Sequence, residues 1–215
     1  ERAAVYLTNA LTGWTPPDEV KTGFQYRLTG MPELQAERDA AEAVKQKAKV
    51  LVVIGNPPYN GFAGMAIGEE RALSDAYRTT TAAPAPQGHG LNDLYVRFYR
   101  VAERRIVEQT GHGIVCFISN YSWLDGLSHT GMRERYLEVF DGIWVDCLNG
   151  DKYKTGKLTP EGDPDPSIFS TEFNREGIQV GTAIALLLRH EKHELAAAVS
   201  FRHLWGQGKL AQLAA

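Results

Sequence analysis

Apolar residues gather in short runs separated by longer polar stretches, and the period within each stretch predicts its element. Residues 50–55, 113–119 and 142–148 are nearly continuous apolar runs of strand length, and 50–55 is expected to be a buried strand. Residues 5–7 read as a short strand, and residues 183–189 and 197–201 as two late strands whose adjacency predicts a terminal hairpin. Leu94, Val96, Phe98, Tyr99, Val101, Ala102 and Ile106 recur at helical spacing, so residues 92–108 are expected to form a helix with one buried face. Residues 32–48, with Pro32 in the first turn, and residues 132–140 read as two further helices. Strands alternating with helices predict an α/β fold with parallel strands.

Chain breakers mark the connections. Residues 12–30 contain the pair Pro16-Pro17, and residues 61–90 hold one helical turn, at 69–77, before a Thr-, Ala-, Pro- and Gly-rich tract at 79–90 expected to be mobile. Residues 149–177 carry Gly156, Pro160, Gly162, Pro164 and Pro166 and are too long for a simple connection. The chain thus divides into a lead-in (1–48), a core (49–148), an insertion (149–177) and terminal strands (178–215).

Composition narrows the function without fixing it. The 215 residues are 43% apolar and 23% charged, with a net charge of -3, which excludes a uniformly basic nucleic-acid-binding surface but not a local basic rim. Cys116 and Cys147 lie inside apolar runs, which predicts buried thiols and a reducing, cytoplasmic setting. No apolar run is long enough to span a bilayer. The chain opens at Glu1 without an initiator methionine and reads as a piece excised from a longer polypeptide.

The chemistry concentrates in Gly55-Asn56-Pro57-Pro58-Tyr59, directly after an apolar strand, where open α/β sheets bind ligands. An exocyclic amine on a base attacks an electrophilic methyl poorly unless acceptors hold its hydrogens and return the lone pair to nitrogen. Asn56 offers a side-chain carbonyl and Pro57 a backbone carbonyl. The Pro57 ring fixes φ and keeps Asn56 out of helical geometry, while Pro58 stiffens the same turn. Tyr59 is placed to stack on a base rotated out of a duplex.

These residues carry a resemblance. With the segments 92–98, 148–151 followed by 167–172, and 180–184, the chain resembles the adenine amino-methyltransferases of restriction-modification systems, in particular large single-polypeptide type I enzymes. The resemblance covers nearly the whole chain. It implies a partial Rossmann-like α/β methyltransferase fold, with a mostly parallel sheet and a terminal antiparallel strand. It implies S-adenosylmethionine as cofactor, double-stranded DNA as substrate, and helicase, nuclease and target-recognition domains as neighbours in a parent chain. Carried over by position, Asn56 and Pro57 hold the amine and Pro58 completes the catalytic turn. Tyr59 stacks on the base, Asn9 and Asn56 contact the cofactor, and Gly181 and Thr182 belong to the segment closing over the base.

The pattern departs from the family in one respect. The glycine-rich turn after the first strand, and the acidic residue after the second, are missing, so the fragment is expected to be inactive alone. The first and second strands normally lie between the third and the fourth, so residues 50–54 are expected to form an exposed sheet edge. Gly111-His112-Gly113 precedes a strand, and Gly206-Gln207-Gly208-Lys209 is expected to follow no strand-to-helix turn.

Other features carry less chemistry. Lys152 and Lys154, with Lys157, are candidate phosphate contacts in the insertion, whereas Arg97, Arg100, Arg104 and Arg105 are expected to form a solvated helix face. His190 and His193 have the wrong spacing for a metalloprotease site, and no metal site is expected. Methylation of a protein glutamine or an RNA amine is an alternative function, as is a noncatalytic assembly module.

Overall fold

The computed structural model describes residues 5–6, 8–13, 31–59, 68–196 and 198–214. Two compact units result, Glu1–Lys49 and Val50–Ala215.

The first unit contains α1, Pro32–Lys47, which starts on a proline, with Glu33 in its first turn and Lys45 and Lys47 in its last, as the helix dipole favours. Lys45 is buried. Its ammonium donates to Thr8 Oγ1 at 2.7 Å, Asn9 O at 2.6 Å and Thr12 O at 2.9 Å, which fastens the preceding turn to the helix. Val5 and Tyr6 lie in no strand, and Leu7 is outside the described residues, so the expected strand at 5–7 is not found.

The second unit is built on a five-stranded sheet in the order β1-β2-β4-β3-β5. The strands are β1, Val52–Gly55; β2, Gly113–Asn120; β3, Gly142–Asn149; β4, Thr182–Arg189; and β5, Val199–His203. The pairs β1/β2 and β3/β5 are parallel, and β4 runs antiparallel to both β2 and β3. Four strands therefore point one way, in agreement with the expected mostly parallel α/β sheet. The expected terminal hairpin is absent, because β3 lies between β4 and β5. Among the described residues β1 pairs only with β2, so it is a sheet edge as anticipated, and its Val52 and Ile54 are exposed.

One face of the sheet carries the core. Val115 and Phe117 of β2, Ile143 and Val145 of β3, and Ala185 and Leu187 of β4 pack with Tyr95, Val96, Tyr99 and Ala102 of helix α3, Leu94–Glu103, and with Met132 and Tyr136 of helix α4, Thr130–Val139. The expected helix over 92–108 is realised as α3 followed by a wider π turn, Arg104–Thr110. Its arginines do not form a solvated face. Arg97 and Arg105 are buried, and Arg100 binds Glu103 at 2.8 Å and Glu108 at 2.7 Å. Glu103 is itself fully buried and accepts from Tyr77 Oη at 2.6 Å and from Arg135. A buried carboxylate requires such partners, which explains why the stripe turns inward.

The tract at 79–90 is ordered by contacts instead of being left loose. The Glu134 carboxylate accepts the Thr81 hydroxyl and the backbone N–H groups of Thr81 and Ala83, the latter two each at 2.6 Å, and these bonds, the hydroxyl's foremost, draw its pKa down to about 2. A short helix, α2, Gly68–Leu73, precedes the tract. Cys147 is buried and Cys116 half-buried, and both thiols are free.

Candidate active site

The strands β1, β2 and β3 end on the same side of the sheet, and their carboxyl ends, with the start of β4, gather most of the sequence-predicted residues of the second unit. At Gly55 an added Cβ would come within 3.2 Å of the Phe117 ring, so the last residue of β1 allows close approach to β2. The chain then leaves the sheet through Asn56, exposed; Pro57, buried; Pro58, exposed; and Tyr59, half-buried. This alternation seats one proline against the body of the unit and presents the amide of Asn56 outward.

The Tyr59 ring meets Phe169 from the insertion edge to face, with centroids 6.1 Å apart and planes at 68°. Burial pushes the Tyr59 pKa up to about 12, so the phenol is neutral at physiological pH. Its hydroxyl is buried with no hydrogen-bond partner among the described residues. Phe169 lies in the segment 167–172 that carries the resemblance, but sequence reasoning assigned it no role of its own. Within a turn-rich segment it belongs to no periodic pattern, and only the fold brings it to Tyr59.

A second cluster forms where β2 ends. Asn120 is buried, and its side chain accepts Ser122 N–H at 2.8 Å, capping the short turn that carries Tyr121. Gly181 lies against the Tyr121 ring so closely that an added Cβ would fall 2.4 Å from Cζ. The Lys154 ammonium sits 4.6 Å above the same ring and is paired with Asp125 at 2.9 Å. Asp151 joins these parts. Its buried carboxylate accepts the N–H groups of Tyr153 and Lys154, each at 2.7 Å, and of Gly181 at 2.8 Å. Burial, followed by the neighbouring Asp151, holds the Tyr121 phenol well above its ordinary pKa.

Asp165 forms the other anchor of the insertion. Its carboxylate accepts Gly150 N–H at 2.8 Å and Gly206 N–H at 2.7 Å and binds Lys209 Nζ at 2.6 Å. Contrary to expectation, the segment 206–209 does join a strand to a helix, β5 to α5, Lys209–Ala214. The buried Lys209 identifies it as a structural tie.

The remaining candidates are placed as follows. Thr182 is buried as the first residue of β4, opposite Asn120 and Asn149. Lys152 is half-exposed and paired with Glu176 at 3.0 Å. Asn9 belongs to the first unit, where its side-chain oxygen accepts Leu11 N–H at 2.9 Å. His193 contacts Asp141 at 3.2 Å and Glu138 O at 2.8 Å, and no group of potential metal ligands occurs among the described residues. No helix among the described residues is long and apolar enough to cross a membrane.

The family model described as Eco57I restriction-modification methylase matches residues 19–141, more than half of the chain. Among solved structures, the chain is similar to the ATP-dependent Type ISP restriction-modification enzyme LlaBIII bound to DNA. The two share 21% identity and a TM-score of 0.65 over 94% of this chain and 12% of that one. The DrdV-DNA complex gives 24% identity and a TM-score of 0.58 over 80% of this chain and 16% of that one. A nuclease-deletion mutant of the Type ISP restriction-modification enzyme LlaGI in complex with a DNA substrate mimic gives 19% and 0.61, again over 80% and 16%. At these identities the likeness is one of fold, and the chain spans less than a fifth of each neighbour. No curated protein matches the chain.

Proposed function

Because the chain belongs to the Eco57I restriction-modification methylase family, we propose that it carries the catalytic portion of a DNA methyltransferase acting on the exocyclic amine of adenine, with S-adenosylmethionine as methyl donor. The observation that carries this reading is the Asn56-Pro57-Pro58-Tyr59 turn at the carboxyl end of β1, with Phe169 set edge-on to Tyr59 at 6.1 Å.

In this reading an adenine rotated out of the duplex lies against Tyr59, with Phe169 closing the aromatic wall. The Asn56 side-chain carbonyl and the Pro57 backbone carbonyl accept the two amine hydrogens and draw the lone pair out of the ring onto nitrogen. The buried Pro57 fixes these acceptors before substrate arrives, so little reorganisation is needed at the moment of reaction. The amine becomes acidic once alkylated and sheds its proton without a dedicated base. Gly181, packed against the Tyr121 ring, and Thr182 belong to the segment that closes over the base. Lys152 and Lys154 contact phosphates by exchanging their exposed carboxylate partners for DNA.

S-adenosylmethionine supplies an electrophilic methyl group when bound. The described residues fit its reacting end, where exposed Asn56 is available. They contain no glycine-rich turn entering a helix of useful length, so the nucleoside end has no cradle among them. Since the chain spans less than a fifth of each structural neighbour, we read it as one part of a longer cytoplasmic enzyme with helicase, nuclease and target-recognition domains, inactive as an isolated piece.

Labelled methyl transfer from S-adenosylmethionine to duplex DNA, RNA and protein, using the intact protein, tests the reading. Incorporation into DNA is expected, and it should fall at least about 100-fold in Asn56→Ala, the scale of losing one preorganised acceptor or donor. Incorporation into RNA or protein alone would favour a different planar amine, and absence of transfer to all three would favour an assembly role.

A further inference from the structure

Phe173 is the most exposed apolar side chain among the described residues, with a relative accessibility of 101%. An ordered turn presents it. Thr171 N–H donates to Asn174 O at 2.9 Å, Asn174 N–H to Thr171 Oγ1 at 3.0 Å, and Gly177 N–H to Asn174 Oδ1 at 3.1 Å. The chain folds back on itself at the stem, where Gly177, at φ 56°, approaches Ser170 so closely that an added Cβ would lie 2.8 Å from its nitrogen. A fully hydrated aromatic ring on a hydrogen-bonded turn gains nothing within this unit.

Its position in the chain indicates its partner. Phe169, four residues earlier, forms the aromatic wall with Tyr59. Four extended residues reach at most about 14 Å, which at a rise of roughly 3.4 Å is about four base pairs of duplex. The neighbours Thr171, Glu172, Asn174 and Arg175 are polar and exposed, so the ring stands alone instead of belonging to an apolar patch. A protein partner would need a contiguous apolar core around such an anchor. A base step offers a binding slot one ring thick.

We infer that Phe173 is a wedge that enters duplex DNA beside the target nucleotide and stacks on the base face uncovered when the adenine rotates out. This rests on the base-flipping methyltransferase reading of the same site. Rotation of a base leaves its neighbours unstacked, and an apolar side chain inserted at that step replaces the lost stacking and holds the flipped state.

The test uses the intact protein and a duplex that the wild type methylates, prepared with the target adenine either correctly paired or mispaired. Phe173→Ala is expected to weaken productive binding to the paired duplex by about tenfold, the middle of the range for loss of one base-aromatic stack. Phe173→Trp should retain wild-type behaviour. The mispaired duplex, whose target is already easy to extrude, should lose most of the defect, and 2-aminopurine at the target position should brighten less with Phe173→Ala than with wild type. The thermal midpoint should not move, because the ring packs against nothing. A Phe173→Ala protein within twofold of wild type on the paired duplex, or equally impaired on both duplexes, overturns the wedge alone. A wild type that methylates no duplex overturns the wedge and the methyltransferase reading together.

Discussion

Replacing Lys209 with alanine tests how firmly the insertion bearing Phe169 is anchored. In the native unit Lys209 is 2% exposed, Asp165 is 0% exposed, and the two groups meet at 2.6 Å. Lys209 also donates to Pro166 O at 2.9 Å. Its removal leaves the Asp165 carboxylate with the N–H groups of Gly150 and Gly206 but no counter-charge. Breaking a buried ion pair from one side costs about 3–5 kcal/mol, because the remaining charge is stranded in a poorly polarisable site. At a urea dependence of roughly 2 kcal/mol per molar, the unfolding midpoint should fall by about 2 M with little change in slope. Trp205, stacked on His203 at 5.5 Å one residue before Gly206, provides a local fluorescence reporter. The double replacement Asp165→Leu with Lys209→Leu should be milder than the single one, since it removes both charges. A loss below about 1 kcal/mol in Lys209→Ala, or a double variant worse than the single one, would refute the reasoning.

Two further outcomes follow from buried groups in the same unit. The Tyr59 hydroxyl has no partner among the described residues, so Tyr59→Phe should keep stability within about 0.5 kcal/mol and methyl transfer near wild type, whereas Tyr59→Ala should weaken DNA binding about tenfold. With that phenol titrating near pH 12, the rate profile between pH 6 and 10 should show no limb that Tyr59→Phe abolishes. His129 is held down to about pKa 4 by burial and then by Arg133, against an ordinary value of 6.5. Between those values the unfolded chain binds the proton and the folded one does not, so this contribution is complete near pH 7 and is lost as pH falls towards 4. It amounts to about 3 kcal/mol in total. The difference in unfolding free energy between wild type and His129→Asn should narrow by that order from pH 7 to pH 4, and a constant difference would show that His129 titrates normally.

Sequence pattern revealed the elements better than their arrangement. The runs behind β2 to β4 were legible because a buried strand leaves a local apolar signature, and β1 carries the same signature although none of its residues is buried. Strand order was not, because adjacency in sequence favours pairing β4 with β5, whereas β4 pairs with β2 and with β3 across the whole insertion. The Asn56-Pro57-Pro58-Tyr59 turn was legible because two prolines fix backbone geometry where they stand. Its contact with Phe169 was not, because that residue lies in an aperiodic segment far along the chain. Lys45, Glu103, Arg105 and Lys209 are all buried, although charged residues are normally read as surface. Only the pairing supplied by the fold makes their burial tolerable, and a charge carries no sequence mark of its partner.

The central claim is that the Asn56-Pro57-Pro58-Tyr59 turn holds the exocyclic amine of an adenine in DNA. Duplex DNA incubated with the intact protein and S-adenosylmethionine carrying an isotopically labelled methyl group, then digested to nucleosides and resolved by mass spectrometry, tests it most directly. The label should appear in N6-methyladenine and fall at least about 100-fold with Asn56→Ala. Label found in a methylated cytosine, or N6-methyladenine undiminished in Asn56→Ala, would contradict the account.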